Sequence, residues 1–141
     1  MSDNTLKVQV EWRGGKRIHV EARGNRLVVD EAKEGGDGFR PTELLLGALG
    51  ACTMGTLLNF CKNMDIPVES FTIDLEGKRE TAPERVGEIR LSLVLAGQVP
   101  EDRLETLRRV AKGCRVHYTM THPPRIELEM RVAEGKVQER V

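Results

Sequence analysis

Three cysteines, Cys52, Cys61 and Cys114, are the residues of this chain best suited to carry out chemistry. A thiol works as nucleophile, redox centre or metal ligand through its thiolate, so position and neighbours decide what each can do. Cys52 and Cys61 are nine residues apart in one apolar run. On a helix that spacing is about 13 Å of rise and turns the two thiols to opposite sides. A disulfide needs Cα atoms within about 7 Å, so these two cannot bridge in an intact helix. Cys61 reads as a small buried hydrophobe. Cys52 has two readings, a small core residue or a thiol with space in front of it, because Gly50, Ala51 and Gly55 surround it. Cys114 directly follows Gly113, in Cys114-Arg115-Val116-His117-Tyr118-Thr119. Arg115 and His117 favour a thiolate there, whereas the carbonyl end of a preceding helix opposes one. The spacing Cys114-x2-His117-x4-His122 also suits metal ligands. It lacks a CxxC pair, and its fourth ligand would have to be Cys52 or a distant acid, so no metal and no cofactor are expected. Glu43 is the fourth residue of interest. It either complements a helix dipole or is a buried carboxylate paired with an arginine, for which Arg13, Arg23 and Arg40 are all candidates.

The element that must position Cys52 and Glu43 is the run Pro41–Met64, PTELLLGALGACTMGTLLNFCKNM. Its apolar residues fall on every side of a helical wheel, the pattern of a buried helix. As a helix it spans roughly 36 Å. Pro41 suits the first helical position, and Ile66-Pro67 ends the run because the residue before proline leaves the helical region. Gly47, Gly50 and Gly55 are costly inside a helix, so another element is expected to approach closely there. Before it, residues 5–13 and 18–22 alternate apolar and polar and Leu27-Val28-Val29 reads as a third short strand, separated by Gly14-Gly15 and Arg23-Gly24-Asn25. This predicts an antiparallel meander. A glycine-rich loop over 33–40 leads into the helix. After it, Phe71–Leu75 and Ile89–Leu95 read as strands joined by a polar hairpin loop, and residues 101–112 as an amphipathic helix capped by Gly113. His122-Pro123-Pro124 breaks the chain. Ile126, Leu128, Met130 and Val132 alternate as a last strand, and the tail from Ala133 is expected to fray. The order βββ-α-ββ-α-β predicts one α+β domain over residues 1–141 with antiparallel pairing. Two small sheets and one short helix barely cover a helix that is apolar all round, so a homodimer with the central helices near its interface is expected.

Composition narrows the function classes. In 141 residues, 22 basic and 22 acidic side chains balance to zero net charge, which argues against nucleic-acid binding by bulk charge. Aromatics make up 4 %, too few for base or sugar stacking to be the plan. The start MSDNTLKVQV lacks a basic-then-apolar signal pattern, so a cytoplasmic protein is expected. Glu43, Asn59, Lys62 and Asn63 within the central run argue against a membrane span. In such a setting, thiols are more often free or catalytic than structural bridges.

Taken together, the meander, the run Pro41-Thr42-Glu43-Leu44-Leu45-Leu46-x-Ala48-Leu49-Gly50-Ala51-Cys52 and the segment Cys114-x-Val116-His117-x-Thr119 resemble the OsmC/Ohr family in order along nearly the whole chain. The resemblance implies an α+β fold forming an intertwined homodimer, and a thiol-dependent peroxidase reducing organic hydroperoxides. It implies Cys52 as the peroxidatic thiol and Cys114 as the resolving one, joined in a disulfide that an external dithiol reopens. An arginine held by a carboxylate would keep Cys52 ionised. Arg13, in Arg13-Gly14-Gly15, is the nearest analogue of that arginine, and Glu43 of that carboxylate. In the family's peroxidase branches the glutamate lies ten residues before the cysteine, where Thr42 stands here; the nine-residue spacing of Glu43 is that of the OsmC-like branch. Leu45, Leu49 and Met54 are expected as apolar walls for the substrate. The alternative within the family is a redox-sensing or small-molecule-binding protein without efficient turnover.

Overall fold

The computed structural model describes residues 4–30 and 36–133. Part of the expected 33–40 loop and the tail after Ala133 lie outside the described residues. The fold is α+β, as the hydrophobic pattern predicts. Strands β1 (Gln9–Trp12), β2 (Ile18–Ala22) and β3 (Asn25–Val29) form an antiparallel sheet in sequence order. Trp12 pairs with Ile18, and Ala22 with Asn25. Gly14 and Gly15 turn the chain at φ 104° and 78°, a region that side chains with a Cβ rarely adopt. The expected strand 5–13 pairs only over its second half.

Helix α1 (Pro41–Asn63) is the predicted central helix to within one residue. Asp65 (φ 56°) turns the chain out of it, and the Ile66 N–H donates to Cys61 O at 2.8 Å. A hairpin follows, β4 (Val68–Glu80) and β5 (Arg85–Gly97). Both strands are longer than their apolar alternation, because the ladder continues through charged pairs such as Glu76–Arg90 and Lys78–Glu88. A 3-10 turn (Glu101–Arg103) precedes α2 (Leu104–Ala111), and α3 (Arg115–Thr121) comes after it. Helix α3 is not predicted by the sequence pattern, since Arg115–Thr121 has no apolar stripe.

The core lies where α1, α2 and the hairpin meet. Leu57, Cys61, Ile66 and Leu107 are buried, with Phe60, Phe71, Leu93 and Val110 packed around them. Each such aliphatic or aromatic side chain stabilises the fold by roughly 1.5–3 kcal/mol on full burial. By length and composition α1 could cross a membrane, but here β4, α2 and α3 pack on it. The expected close approach at its glycines is met at Gly50, where a Cβ would lie 2.7 Å from Leu75 Cδ1. Nothing lies within 4 Å of a Cβ at Gly47 or Gly55.

Two expectations are corrected. Helix α1 is not buried all round within one chain: only Leu49, Gly50, Thr53, Leu57 and Cys61 are buried, a single stripe, and Leu45 and Leu58 remain exposed. The last strand has no ladder partner among the described residues. Ile126, Leu128, Met130 and Val132 are 79–93 % exposed. Leu6 and Val8 before β1, and Val10 and Trp12 on it, are likewise exposed. Alternation selects a face, but a face is buried only where another surface reaches it.

Candidate functional site

Cys52 projects from the fourth turn of α1 and is half-buried. Cys114 arrives from the junction of α2 and α3 and is 1 % exposed. The sequence reading leaves Cys114 at the carbonyl end of a helix; in the structure it is also the N-cap of α3. Its Sγ accepts from the His117 N–H at 3.3 Å, the capping contact that a side-chain acceptor supplies at a helix start. The Thr53 hydroxyl lies 3.6 Å from the same sulfur. The first turn of α3 then faces Cys52, and the Val116 N–H donates to Cys52 Sγ at 3.5 Å.

The fold therefore brings Cys52 and Cys114 together across 62 residues of sequence, both as free thiols. Partial burial pushes the Cys52 pKa up. The Val116 N–H, the Cys114 side chain, the Arg115 N–H and the Thr56 hydroxyl outweigh it, and the net shift is below the ordinary thiol value. Donors aimed at a sulfur favour the charged form. Cys61 shows the reverse: burial without such donors pushes its thiol up, as befits the structural reading. Because the thiolate is the reacting form, alkylation of Cys52 by iodoacetamide should rise with pH and level off at lower pH than for free cysteine. Rates read by mass spectrometry across a pH series check this, and a plateau at or above that of free cysteine would contradict the hydrogen-bonding role.

Beside Cys52 opens a cleft of about 670 Å³, lined by Thr56, Gly113, Arg115, Val116, Tyr118 and Thr119. Tyr118 stacks on His122 with ring centroids 3.9 Å apart. The expected walls lie elsewhere. Leu45 and Met54 do not line the cleft, and Leu49 lines a separate hollow against Val86 and Ile89. Met54 is turned roughly 160° from Cys52 around the helix, whereas Leu49 lies about one turn before Cys52, against the hairpin and the C-terminal half of α3.

Glu43 and Arg13 are not brought to Cys52 within the chain. Glu43 is exposed, and its Oε1 accepts the Arg40 N–H at 2.8 Å. It caps the helix start, where backbone donors lack partners, and within one chain it is exposed rather than a buried carboxylate. Arg13 pairs with Glu11 at 3.1 Å beside the β1–β2 turn. Arg23 sits in the β2–β3 turn at φ 53°. None of Arg13, Arg23 and Arg40 lines the Cys52 cleft. His117 and His122 form no cluster of three or more potential metal ligands among the described residues. Sequence reasoning links Arg115 only to Cys114 and misses the Val116 N–H, which no residue type encodes. Thr56 could have been found, since it follows Cys52 by one helical turn.

Comparison with known proteins agrees with this architecture. The fold matches an OsmC-like protein of Mycoplasma pneumoniae with TM-score 0.78 at 20 % identity, over 86 % of this chain and 91 % of that one. It matches an organic hydroperoxide resistance protein OsmC of Legionella pneumophila with TM-score 0.65 at 20 % identity, over 85 % and 91 %. An organic hydroperoxide resistance protein of Elizabethkingia anophelis matches with TM-score 0.64 at 20 % identity, over 84 % and 89 %. No curated protein sequence matches the chain. Residues 34–129, which carry α1, the hairpin, Cys52 and Cys114, match the family of OsmC-like proteins, and the chain belongs to that family.

Proposed function

We propose that the protein is a thiol-dependent peroxidase that reduces organic hydroperoxides in the cytoplasm. The single observation that carries this reading is the meeting of Cys52, half-exposed at a cleft, with Cys114, almost fully buried behind it. The Cys52 thiolate attacks the distal oxygen of ROOH. An S–O bond forms, the O–O bond breaks, and RO⁻ leaves and takes a proton as ROH. Cys52 is then a sulfenic acid. The Cys114 sulfur attacks the Cys52 sulfur, an S–S bond forms, and water departs with the hydroxyl and one proton. A dithiol reductant restores both thiols by exchange. Burial of Cys114 suits this division of labour, because peroxide reaches only Cys52.

The protein acts as a homodimer in this reading. The exposed apolar faces of residues 6–12 and 126–132, with Leu45 and Leu58 on α1, support burial against a second copy. A stoichiometric pulse of cumene hydroperoxide on reduced protein, followed by disulfide mapping, tests the chemistry. A Cys52–Cys114 bridge is expected; peroxide left unconsumed with both thiols free would refute it. The placement of Arg13 and Glu43 away from Cys52 favours a second reading, a redox sensor or small-molecule binder with slow turnover. That reading expects peroxide loss barely changed by Cys52→Ser.

A further inference from the structure

We propose that Arg115 makes the Cys52 cleft selective for reaction partners that carry an anionic group, so that the hydroperoxide reduced here is a carboxylate-bearing one. The second half of this statement rests on the peroxidase reading; the first half does not. Arg115 is the one charged residue that lines the cleft, among hydroxyl, backbone and apolar groups from Thr56, Gly113, Val116, Tyr118 and Thr119. It is exposed. Arg13, Arg17, Arg26, Arg85, Arg108 and Arg125 each meet a carboxylate in an ion pair. Arg115 has no such partner among the described residues, which is equally true of Arg23, Arg79, Arg90, Arg103, Arg109 and Arg131, but of these only Arg115 lines the Cys52 cleft. Its place in the chain is held from both sides. Cys114 before it caps α3, and the Val116 N–H after it donates to Cys52.

An arginine stays protonated throughout the physiological range, so the cleft that holds the reacting sulfur carries a permanent positive charge on its lining. A single unpaired charge in a wet cleft changes the local concentration of an anion by a few-fold, and salt screens the effect. The Thr119 hydroxyl donates to the Arg115 carbonyl at 2.7 Å and the Thr56 hydroxyl to Cys52, so the guanidinium is the main group offered to an anionic head in the cleft. Charge of this kind acts on encounter rate and on the choice between otherwise equal partners.

The test compares iodoacetate with iodoacetamide on the reduced full chain. Both react by the same displacement, in which the Cys52 S–C bond forms and iodide leaves. The ratio of their rates at Cys52, read by mass spectrometry, cancels thiolate population and steric access. At about 0.01 M salt the iodoacetate/iodoacetamide ratio should fall about threefold in Arg115→Ala and about tenfold in Arg115→Glu, and be kept in Arg115→Lys. The differences should fade at about 0.5 M salt. An unchanged ratio in Arg115→Glu, with wild-type circular dichroism, overturns the proposal. In a second arm, a carboxylate-bearing hydroperoxide and its methyl ester are compared by kcat/KM. The same dependence on Arg115 is expected, and equal preference in wild type and Arg115→Glu overturns the substrate class. If neither hydroperoxide is consumed, the peroxidase reading fails, while the alkylation ratio still decides the role of Arg115.

Discussion

Cys52→Ser should lower organic hydroperoxide turnover by at least about a thousandfold, the scale of losing a covalent nucleophile. A serine hydroxyl at this position remains un-ionised near neutral pH, so it cannot attack the O–O bond. The loss should be specific to chemistry. Cys52 is half-exposed and contributes little to the core around Leu57, Cys61, Ile66 and Leu107, so thermal unfolding should barely move. Cys114→Ser gives the complementary pattern. One equivalent of peroxide is still consumed, because Cys52 is intact. The sulfenic acid then finds no second thiol and climbs to the irreversible sulfinic state under excess peroxide. Stopped-flow peroxide consumption with mass spectrometry of Cys52 reads both results. Turnover in Cys52→Ser within tenfold of wild type would remove Cys52 from the mechanism and leave the sensor or binder reading in its place.

The second large effect concerns assembly. Val10→Glu combined with Leu128→Glu should convert a dimer into monomers, with the dissociation constant raised by about a thousandfold or more. Val10 and Leu128 belong to two alternating apolar faces, residues 6–12 and 126–132, that nothing covers among the described residues. Both side chains are more than half exposed here, so glutamate at either position does not disturb the fold of a single chain. Buried against a second copy, each unpaired carboxylate costs several kcal/mol, and about 1.4 kcal/mol already changes an equilibrium tenfold. Light scattering behind size exclusion, across a protein dilution series, measures the outcome. A monomeric wild type at micromolar concentration would end the dimer proposal, as would a dimer indifferent to both substitutions.

Residues whose role depends on periodicity are legible in the amino-acid sequence. The alternation of Ile18 and Val20, and of Ile89, Leu91, Leu93 and Leu95, marks strands that form. Pro41 and Ile66-Pro67 bracket α1 to within one residue. Gly50 signals a close neighbour, which is Leu75. Period and punctuation are local properties of a chain, so they can be read along the backbone alone. Helix α3 is not legible in this way, because it stands on a cap from the Cys114 sulfur and on docking to α1 rather than on an apolar stripe. Burial is over-read from sequence for the same reason. An apolar face at residues 126–132 states what the chain can bury, and the described residues of one copy supply nothing to bury it against.

By itself, then, the amino-acid sequence determined the α+β class and the order βββ-α-ββ-α up to α2, the central helix, the separation of Cys52 from Cys61, and the pair of thiols worth following. These rest on spacing along the backbone. Only the tertiary structure decided which groups surround Cys52. It set the Val116 N–H and Thr56 around that sulfur, with Arg115 lining the same cleft, kept Glu43 at the helix cap, and left Arg13 with Glu11. The physical reason is that a thiol is tuned by donors and charges within a few ångströms, and that distance is set by how α3 docks on α1, not by how far apart the residues lie in sequence.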